Sequence, residues 1–255
     1  MGDISDSENM AHIGFQKIGK KEKTGWVCHQ FAEVAARYDA VNTLLSFGIH
    51  FLWKARSVRM LDLAEGEKVL DLCGGTGDLA VSALKRTGEK GQVFLYDINR
   101  DMMRAGRGKR RQGKYRKKIL YVQGDAEEIS FPDNSFDAVI VGFGMRNLTR
   151  MEKGFAEIYR ILRPGGRMVC LEFSEPRNRL FRKIYDLYSF YLMPFLGKLL
   201  TGSAQAYHYL PESIRLFPPP AELQKKLENI GFRNVIFQSM TNGVAVAHRG
   251  EKNRE

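Results

Sequence analysis

The chain has 255 residues, of which 44% are hydrophobic and 27% charged, and its formal net charge is +11. This balance is typical of a soluble globular protein, and the length suits one large α/β domain better than two small ones. The three cysteines, Cys28, Cys73 and Cys170, lie far apart, which excludes the spacing of a cysteine-bound metal site, so no metal is expected. Free cysteines are usual in the reducing cytoplasm, where we expect this protein.

The N-terminal residues divide into two stretches of different character. Residues 1–27 are polar, contain glycine and show no period, which predicts a mobile or loosely packed leader without the apolar core of a signal peptide. From Phe31 to Trp53, apolar residues recur at helical spacing. We therefore expect one domain over residues 28–255, whose first part, residues 28–65, forms a helical cover.

Strands and helices then alternate along the middle of the chain. The sequence predicts five short apolar strands, at Lys68–Leu72, Val93–Tyr96, Ile119–Val122, Phe136–Phe143 and Arg167–Phe173. Strands that alternate with helices at this spacing form a parallel sheet covered on both faces. A doubly wound, Rossmann-like α/β fold follows from this pattern.

The C-terminal part departs from that alternation. A predicted helix, Pro220–Ile230, is followed by two strands, at residues 232–240 and 243–250, that only a very short turn separates. Such a turn joins antiparallel strands, which completes a mostly parallel seven-stranded sheet. An antiparallel end is the pattern of S-adenosylmethionine-dependent methyltransferases, whereas a dinucleotide-binding half would continue as parallel βαβ units.

A glycine cluster follows the first predicted strand, in VLDLCGGTGD (69–78). Glycine lets a strand turn sharply into a helix while its backbone approaches a ligand, and the helix N-terminus offers free N–H groups. Gly75, Gly77 and Ala80 also fit the dinucleotide pattern G-x-G-x-x-A, so the loop alone leaves both kinds of cofactor open.

Two acidic positions extend the predicted cofactor site. Asp97 ends the second strand, where its carboxylate can accept both ribose hydroxyls, although it could instead cap the helix that begins after it. The third strand leads into Gly124-Asp125-Ala126-Glu127, where an acid can accept the adenine amino group. Together with the antiparallel end of the sheet, these positions favour S-adenosylmethionine over a dinucleotide.

Several further blocks resemble the ubiquinone/menaquinone biosynthesis C-methyltransferases (UbiE type), over roughly Phe31 to Gly250. The glycine loop is common to many methyltransferases, but the other blocks are more specific. These are RYDAVN (37–42), SFGIHFLWK (46–54), GFGMRNLT (142–149), RILRPGGRMVCLEFSEP (160–176), YDLYSFYLMP (185–194), YHYLPESI (207–214) and GVAVAHRG (243–250).

The resemblance implies a class I methyltransferase fold that binds S-adenosyl-L-methionine and methylates a ring carbon of a prenylated quinol. Thr76, Asp97, Asp125 and Ala126 are then expected on the cofactor, with Gly74, Gly75 and Gly77 shaping its loop. Gly142 is expected to touch it as well, but relatives can carry a side-chain hydroxyl there and glycine offers only backbone.

Methylation of a ring carbon is easier once the neighbouring hydroxyl has lost its proton. Arg146 and Asn147 follow the fourth strand, beside the expected crevice, and can stabilise a phenolate or orient a water; Tyr38 can add a hydroxyl from the cover. Arg146 could instead form a structural ion pair. His50 and His208 are the other candidate bases, and Trp53 and Tyr188 complete the expected substrate contacts.

The insertion at residues 174–219 is predicted to act as a lid. Apolar and aromatic residues recur there at helical spacing, namely Phe181, Ile184, Tyr185, Tyr188, Leu192, Phe195 and Leu199. They form either a buried packing face or, with Phe47–Trp53, a channel for a polyprenyl tail that opens toward a membrane. Arg182, Lys183, Asp186 and Lys198 argue against a membrane span.

Residues 100–118 hold ten Lys or Arg against one Asp and carry most of the net charge. This basic run is either a solvated surface or a site for an anionic membrane or nucleic acid.

Three alternatives to a quinol methyltransferase remain: a nucleic-acid methyltransferase of the same fold, another small-molecule methyltransferase and a non-catalytic quinone-binding protein. Nucleic acid is disfavoured, because the sequence lacks an Asn/Asp-Pro-Pro-aromatic motif and a Pro-Cys nucleophile. The sequence does not decide between a monomer and a homodimer, nor between a benzoquinol and a naphthoquinol.

Overall fold

The structure is a computed structural model that describes residues 9–109 and 113–254. The chain is organised around one large β-sheet. Over those residues the strands are β1 (Met10–Ile13), β2 (Gln16–Gly19), β3 (Lys68–Leu72), β4 (Gln92–Asp97), β5 (Leu120–Gln123), β6 (Phe136–Gly142), β7 (Leu162–Phe173), β8 (Arg233–Met240) and β9 (Ala245–Glu251). The helices are α1 (Lys20–Val34), α2 (Tyr38–Leu45), α3 (Ile49–Met60), α4 (Asp78–Thr87), α5 (Arg100–Arg107), α6 (Gly113–Arg116), α7 (Met151–Ile161), α8 (Arg179–Leu187), α9 (Met193–Thr201), α10 (Gln205–Leu216) and α11 (Pro220–Ile230).

The large sheet has seven strands in the order β5-β4-β3-β6-β7-β9-β8. The first five run parallel, and β9 pairs antiparallel with both β7 and β8. The predicted doubly wound sheet with an antiparallel end is therefore confirmed. The strand order reverses between β3 and β6, and in open α/β sheets ligands bind beyond the carboxyl ends of the strands at that point.

Apolar layers cover both faces of the sheet. On one face, Val58 of α3, Leu84 of α4 and Leu61, which directly follows α3, pack against the strands. On the other, α7 and α11 pack residues such as Phe155 and Leu223, both fully buried. Because both faces of the central strands are covered, every residue of β6 is buried or half-buried, instead of buried and exposed residues alternating along the strand.

The prediction of a loosely packed leader over residues 1–27 is wrong for its described part, residues 9–27. β1 and β2 form an antiparallel hairpin, and α1 runs from Lys20 through the predicted domain boundary at residue 28. Ile13 packs against Val27 and Tyr209 of α10. These apolar residues lack a local period because they are buried by a distant part of the chain. Residues 1–8 lie outside the described part.

The predicted lid, residues 174–219, contains α8, α9 and α10, with a π-helical turn at Tyr188–Leu192. Its apolar residues do not all share one environment. Tyr185 and Tyr188 face a cavity beneath the segment, whereas Ile184, Phe195 and Leu199 are exposed. Within residues 9–109 and 113–254, no helix combines the length and apolarity needed to cross a membrane.

Candidate active site

The glycine loop joins β3 to α4 in a conformation that few side chains tolerate. Gly75 and Gly77 have φ of 52° and 80°, in the left-handed region that favours glycine. A Cβ at Gly74 would lie 2.6 Å from the side chain of Leu95. Glycine is therefore required here both by the φ values and by the close packing against Leu95, and the loop lies at the carboxyl end of β3, as the sequence predicts.

Asp97 lies at the end of β4, almost buried, facing this loop. Its Oδ2 accepts a hydrogen bond from Gly75 N at 2.8 Å, and its Oδ1 accepts one from Asn99 N at 2.7 Å. Burial raises the pKa of this carboxyl to about 6. The helix-cap interpretation of Asp97 is wrong, because Asn99 caps α5 by accepting from the N–H groups of Asp101 and Met102.

The remaining predicted cofactor residues lie on two further strand ends. Asp125 follows β5, and its Oδ1 accepts from Glu127 N at 2.8 Å, which leaves the other oxygen free of protein bonds in the described residues. Ala126, next to it, is buried. At Gly142, the end of β6, a Cβ would lie 2.5 Å from Leu79 Cδ1, so only backbone can be presented there.

These groups line a first cavity, which lies where the strand order reverses between β3 and β6. It encloses about 1030 Å³, including the open space at its mouth. Of the predicted cofactor residues, it is lined by Gly74, Gly75, Thr76, Asp97, Asp125, Ala126 and Gly142. Gly77 stands behind the loop as the residue preceding α4. The site residues come from the glycine loop and three strand ends, with α1 covering them.

Part of the basic run closes over the glycine loop. Arg116 is buried and donates to Thr76 O at 2.6 Å and to Asp78 Oδ1 at 3.2 Å. Lys109 forms ion pairs with Asp78 and with Asp39 of α2, and Asp39 Oδ1 accepts from Thr76 Oγ1 at 2.7 Å. The uniformly solvated surface considered for residues 100–118 is thus wrong for Lys109 and Arg116. Arg110 and Arg111 lie outside the described residues.

A second cavity, of about 1010 Å³ including its mouth, lies between the cover and the predicted lid. Phe31, Tyr38, Lys54 and Phe143 line both cavities and form a common wall. The second cavity is mainly aromatic and apolar, with contributions from Trp53, Phe173, Tyr185, Tyr188, Tyr207 and Tyr209. Apolar walls with few polar groups are typical of sites for lipophilic ligands.

Arg146 and Lys54 are the cations of this second cavity, and Arg146 is already paired. Its Nη1 donates to Glu172 Oε2 at 3.0 Å, its backbone N donates to Glu172 Oε1 at 3.2 Å, and its guanidinium lies 5.4 Å from the Phe173 ring centroid. Both side chains are buried. The ion pair considered from the sequence therefore exists, while Nε of Arg146 is buried without a partner among the described residues.

Asn147 connects the two cavities. It lines the first, its Nδ2 donates to Phe143 O at 3.3 Å, and its Oδ1 accepts from the hydroxyl of Tyr209 at 3.1 Å. Burial raises the pKa of Tyr209 to about 12, so its hydroxyl remains a donor. Phe143 has φ of 60°, a conformation that costs energy in a non-glycine residue and that tends to cluster at functional sites.

His50 and Trp53 line the second cavity from α3. His50 Nδ1 and Ser46 Oγ lie 2.6 Å apart, and Ser46 Oγ also donates to Asn42 O at 2.6 Å. Burial and the nearby Lys54 ammonium lower the pKa of His50 to about 4, so it is neutral near pH 7. Trp53 Nε1 donates to Thr241 Oγ1 at 2.8 Å, which fixes the indole ring in the wall.

Two predicted substrate contacts have different outcomes. Tyr188 lines the second cavity and its hydroxyl donates to Leu45 O at 2.5 Å, which ties the lid segment to α2. His208 is exposed on the outer side of α10 and lines neither cavity, so the expectation for His208 is wrong. Because side chains one position apart on a helix point in different directions, its neighbours Tyr207 and Tyr209 face inward instead.

The sequence also carried a signal for one site residue that was not assigned a role. Glu172 is a carboxylate inside the apolar strand β7, and a buried acid is expected to have a partner. That partner, Arg146, is 26 residues away in sequence, and only the pairing of β6 with β7 brings it close. Asp39 and Tyr209 lie in the blocks RYDAVN and YHYLPESI, but no local feature of the sequence marks either as a site residue.

Comparison with known proteins agrees with this geometry. The sequence model of the ubiE/COQ5 methyltransferase family matches residues 17–252. The chain belongs to this family. It is 46% identical to the ubiquinone/menaquinone biosynthesis C-methyltransferase UbiE of Methylococcus capsulatus, over 96% of this chain and 99% of that protein. The proteins of the same name from Cronobacter sakazakii and Escherichia fergusonii are 44% and 43% identical, each over 98% of this chain and 99% of the relative.

Solved structures support the fold of this family member. A SAM-dependent methyltransferase from Thermotoga maritima superposes with a TM-score of 0.61 at 20% identity, over 88% of this chain and 99% of that one. One from Aquifex aeolicus gives a TM-score of 0.57 at 19% identity, over 78% and 88%. At such identity the likeness concerns the fold alone. Family and fold together make the chain an S-adenosylmethionine-dependent methyltransferase.

Proposed function

We propose that this family member methylates a ring carbon of a prenylated quinol, demethylmenaquinol, 2-polyprenyl-6-methoxy-1,4-benzoquinol or both, in menaquinone and ubiquinone biosynthesis. The observation that carries the proposal is the second cavity, an aromatic chamber that shares the wall Phe31, Tyr38, Lys54 and Phe143 with the first. A ring held there would lie next to a methyl donor in the first cavity. The relatives named above supply the choice of acceptor.

The first cavity suits the S-adenosylmethionine nucleoside by the chemistry of its donors and acceptors. Each oxygen of Asp97 accepts one backbone N–H, so lone pairs remain for the two ribose hydroxyls. Asp125 would accept the adenine amino group, with Ala126 against the ring. Gly74 and Gly75 would present backbone to the ligand, and Thr76 lines the cavity while its hydroxyl ties the loop to Asp39. When bound, the cofactor supplies an electrophilic methyl group, so the protein needs only to place and activate the acceptor.

Arg146 is proposed to polarise the quinol hydroxyl. Because Glu172 offsets its charge and holds its orientation, the guanidinium acts through directed N–H donors rather than as a free cation. A phenolate is stabilised by such donors in a dry site, and it pushes electron density onto the adjacent ring carbon. Asn147, fixed by Tyr209, and Tyr38 in the common wall would orient the hydroxyl or a water that takes its proton.

His50 is proposed as a hydrogen-bond acceptor for the second ring oxygen. If Ser46 Oγ gives its only proton to Asn42 O, then His50 Nδ1 must carry the proton between them. Nε2 of the neutral ring is then left as an acceptor in the second cavity. A quinol hydroxyl can donate to it, and Trp53 and Tyr188 would pack against the ring.

A long prenyl tail keeps such a substrate in a lipid bilayer, so we also propose that the protein is cytoplasmic and contacts an anionic membrane transiently.

The proposed function is tested by measuring methyl transfer to reduced short-tail benzoquinol and naphthoquinol acceptors, with products identified by mass. A mass gain of one methyl group on the ring of either acceptor is expected. Tight cofactor binding without transfer to any quinol would instead favour a quinone-binding protein or another acceptor.

A further inference from the structure

Large exposed apolar side chains are concentrated on one part of the surface. Twelve of the seventeen that are exposed in the described part of the chain belong to two segments, residues 37–53 and 179–201. Phe47, Tyr191 and Leu199 are the most open, at 80%, 73% and 71% exposure. We call the outward side chains of these two segments the apolar face. A globular protein rarely leaves so much apolar surface uncovered unless something binds it.

The two segments form one continuous surface over the second cavity. The hydroxyl of Tyr188 donates to Leu45 O, Arg37 Nη1 donates to Leu200 O at 2.7 Å, and the rings of Phe47 and Tyr188 lie 6.3 Å apart. The inward side chains of the same segments, including His50 and Met193, line the second cavity. Only the thickness of these helices separates the cavity from the apolar face.

The charges on the apolar face are all of one sign. Arg37, Arg179, Lys183 and Lys198 are exposed. The acids of the two segments, Asp39 and Asp186, are half-buried and paired with Lys109 and Arg215. An apolar surface flanked by cations matches the boundary between anionic headgroups and acyl chains. A second copy of the same face would set cations against cations with no exposed acid to meet them.

We propose that the apolar face docks on the surface of an anionic bilayer and that the substrate passes from the bilayer into the second cavity. The proposal rests on the prenylated-quinol function above. It assigns membrane contact to residues 37–53 and 179–201 rather than to the basic run at residues 100–118. In the described part of that run, Arg116 is buried and Lys109 is tied to acids. Its other described cations are exposed, but no large apolar side chain within the run is exposed beside them.

Vesicle flotation with the full chain tests the assignment. The probe is phosphatidylcholine vesicles with and without an equal part of phosphatidylglycerol. Phe47→Ser/Leu199→Ser should weaken binding to the anionic vesicles about tenfold. The matched control, Leu120→Ser/Ile236→Ser, removes exposed apolar side chains from β5 and β8, outside the apolar face, and should bind like the native chain. Arg179→Gln/Lys183→Gln should reduce the preference for phosphatidylglycerol, whereas Arg104→Gln/Arg107→Gln should preserve it.

Activity measured in parallel separates this proposal from the function on which it rests. Phe47→Ser/Leu199→Ser should lose transfer to a long-tail quinol in vesicles about tenfold and retain transfer to a short-tail quinol in solution. The assignment would be overturned if Phe47→Ser/Leu199→Ser bound anionic vesicles as well as the native chain does. It would also be overturned if Arg104→Gln/Arg107→Gln lost that binding. The native chain could instead prove to be a dimer that Phe47→Ser/Leu199→Ser converts to a monomer, with neither protein binding vesicles. The apolar face would then be an interface with a second copy of the chain. Absence of transfer to every quinol refutes the function but leaves the flotation result standing.

Discussion

Asp97 has the most specific test at the scale of single residues. Asp97→Ala removes charge-assisted hydrogen bonds to the ribose and should weaken S-adenosylhomocysteine binding by about 2–3 kcal/mol, roughly 30- to 150-fold, with the fold intact. Calorimetric titration measures it, and Asp101→Ala on the exposed side of α5 is the control. Unchanged affinity in Asp97→Ala would show that the ribose is held elsewhere.

The pH dependence of binding checks the same carboxyl. Since burial raises the pKa of Asp97 to about 6 and hydroxyl donors favour the carboxylate, cofactor affinity should be constant above that pH. It should fall as the pH is lowered through about 6, because the carboxyl becomes protonated. Asp97→Asn should abolish this dependence over that range.

Arg146 is expected to affect turnover more than cofactor binding. Arg146→Ala should reduce methyl transfer by roughly 10²–10³ while S-adenosylhomocysteine binds almost normally, and Arg146→Lys should restore it only in part. Raising the pH should recover some activity of the alanine variant, because free quinol then ionises without help. Single-turnover assays across pH report these effects.

The buried partner of Arg146 needs its own control. Arg146→Ala leaves Glu172 buried and unpaired, which lowers stability irrespective of any role in catalysis. The double variant Arg146→Ala/Glu172→Gln removes that charge, so it should regain stability but not turnover. If turnover returns with stability, Arg146 is structural and the hydroxyl is activated elsewhere.

At the scale of elements, the β1–β2 hairpin is a structural part of the cover. Ile13→Ala removes a buried contact with Val27 and Tyr209 and should lower the free energy of unfolding by about 2 kcal/mol. Phe15→Ala, at the exposed tip of the hairpin, should have a much smaller effect. Denaturant titration distinguishes them. Equal stability of both variants and the native chain would mean that the hairpin is a loose leader after all.

The elements show which features local sequence can predict. β3 and α11 have the predicted bounds, because a short apolar run and a proline-to-glycine helix are recognisable without the rest of the chain. The glycine loop and the position of Asp97 at the end of a strand were predictable for the same reason. Three features were not predictable in this way, because each depends on contacts between distant segments: the hairpin at residues 10–19, the identity of Glu172 as the partner of Arg146, and the Asp39–Thr76 bond. The prediction that His208 contacts the substrate was wrong because a sequence motif does not show which of its side chains face outward on the helix.

At the scale of the whole molecule, the cover and the lid form a separate small core. Val34, Val41, Leu45, Met193 and Tyr207 make one cluster, distinct from the two that cover the sheet. Small clusters open at lower free energy than central strands. Backbone amides of α2 and α9 should therefore exchange with deuterium faster than those of β3 and β6.

Cofactor binding should reduce that difference. Phe31 and Tyr38 belong to the cover and line the first cavity, so S-adenosylhomocysteine should slow exchange in α1 and α2 while leaving β8 unchanged. Hydrogen exchange followed by mass spectrometry measures both states. Uniform protection across cover and sheet in the free protein would show that the molecule opens as a single unit.

The common wall of the two cavities has a consequence for inhibition. A compound that links a nucleoside to an aromatic ring through a short spacer would span Phe31, Tyr38, Lys54 and Phe143 and occupy both cavities at once. Once one end is bound, the other is presented at an effective concentration in roughly the millimolar range, so its association costs little additional entropy. The length of the spacer would then decide whether both ends bind at the same time.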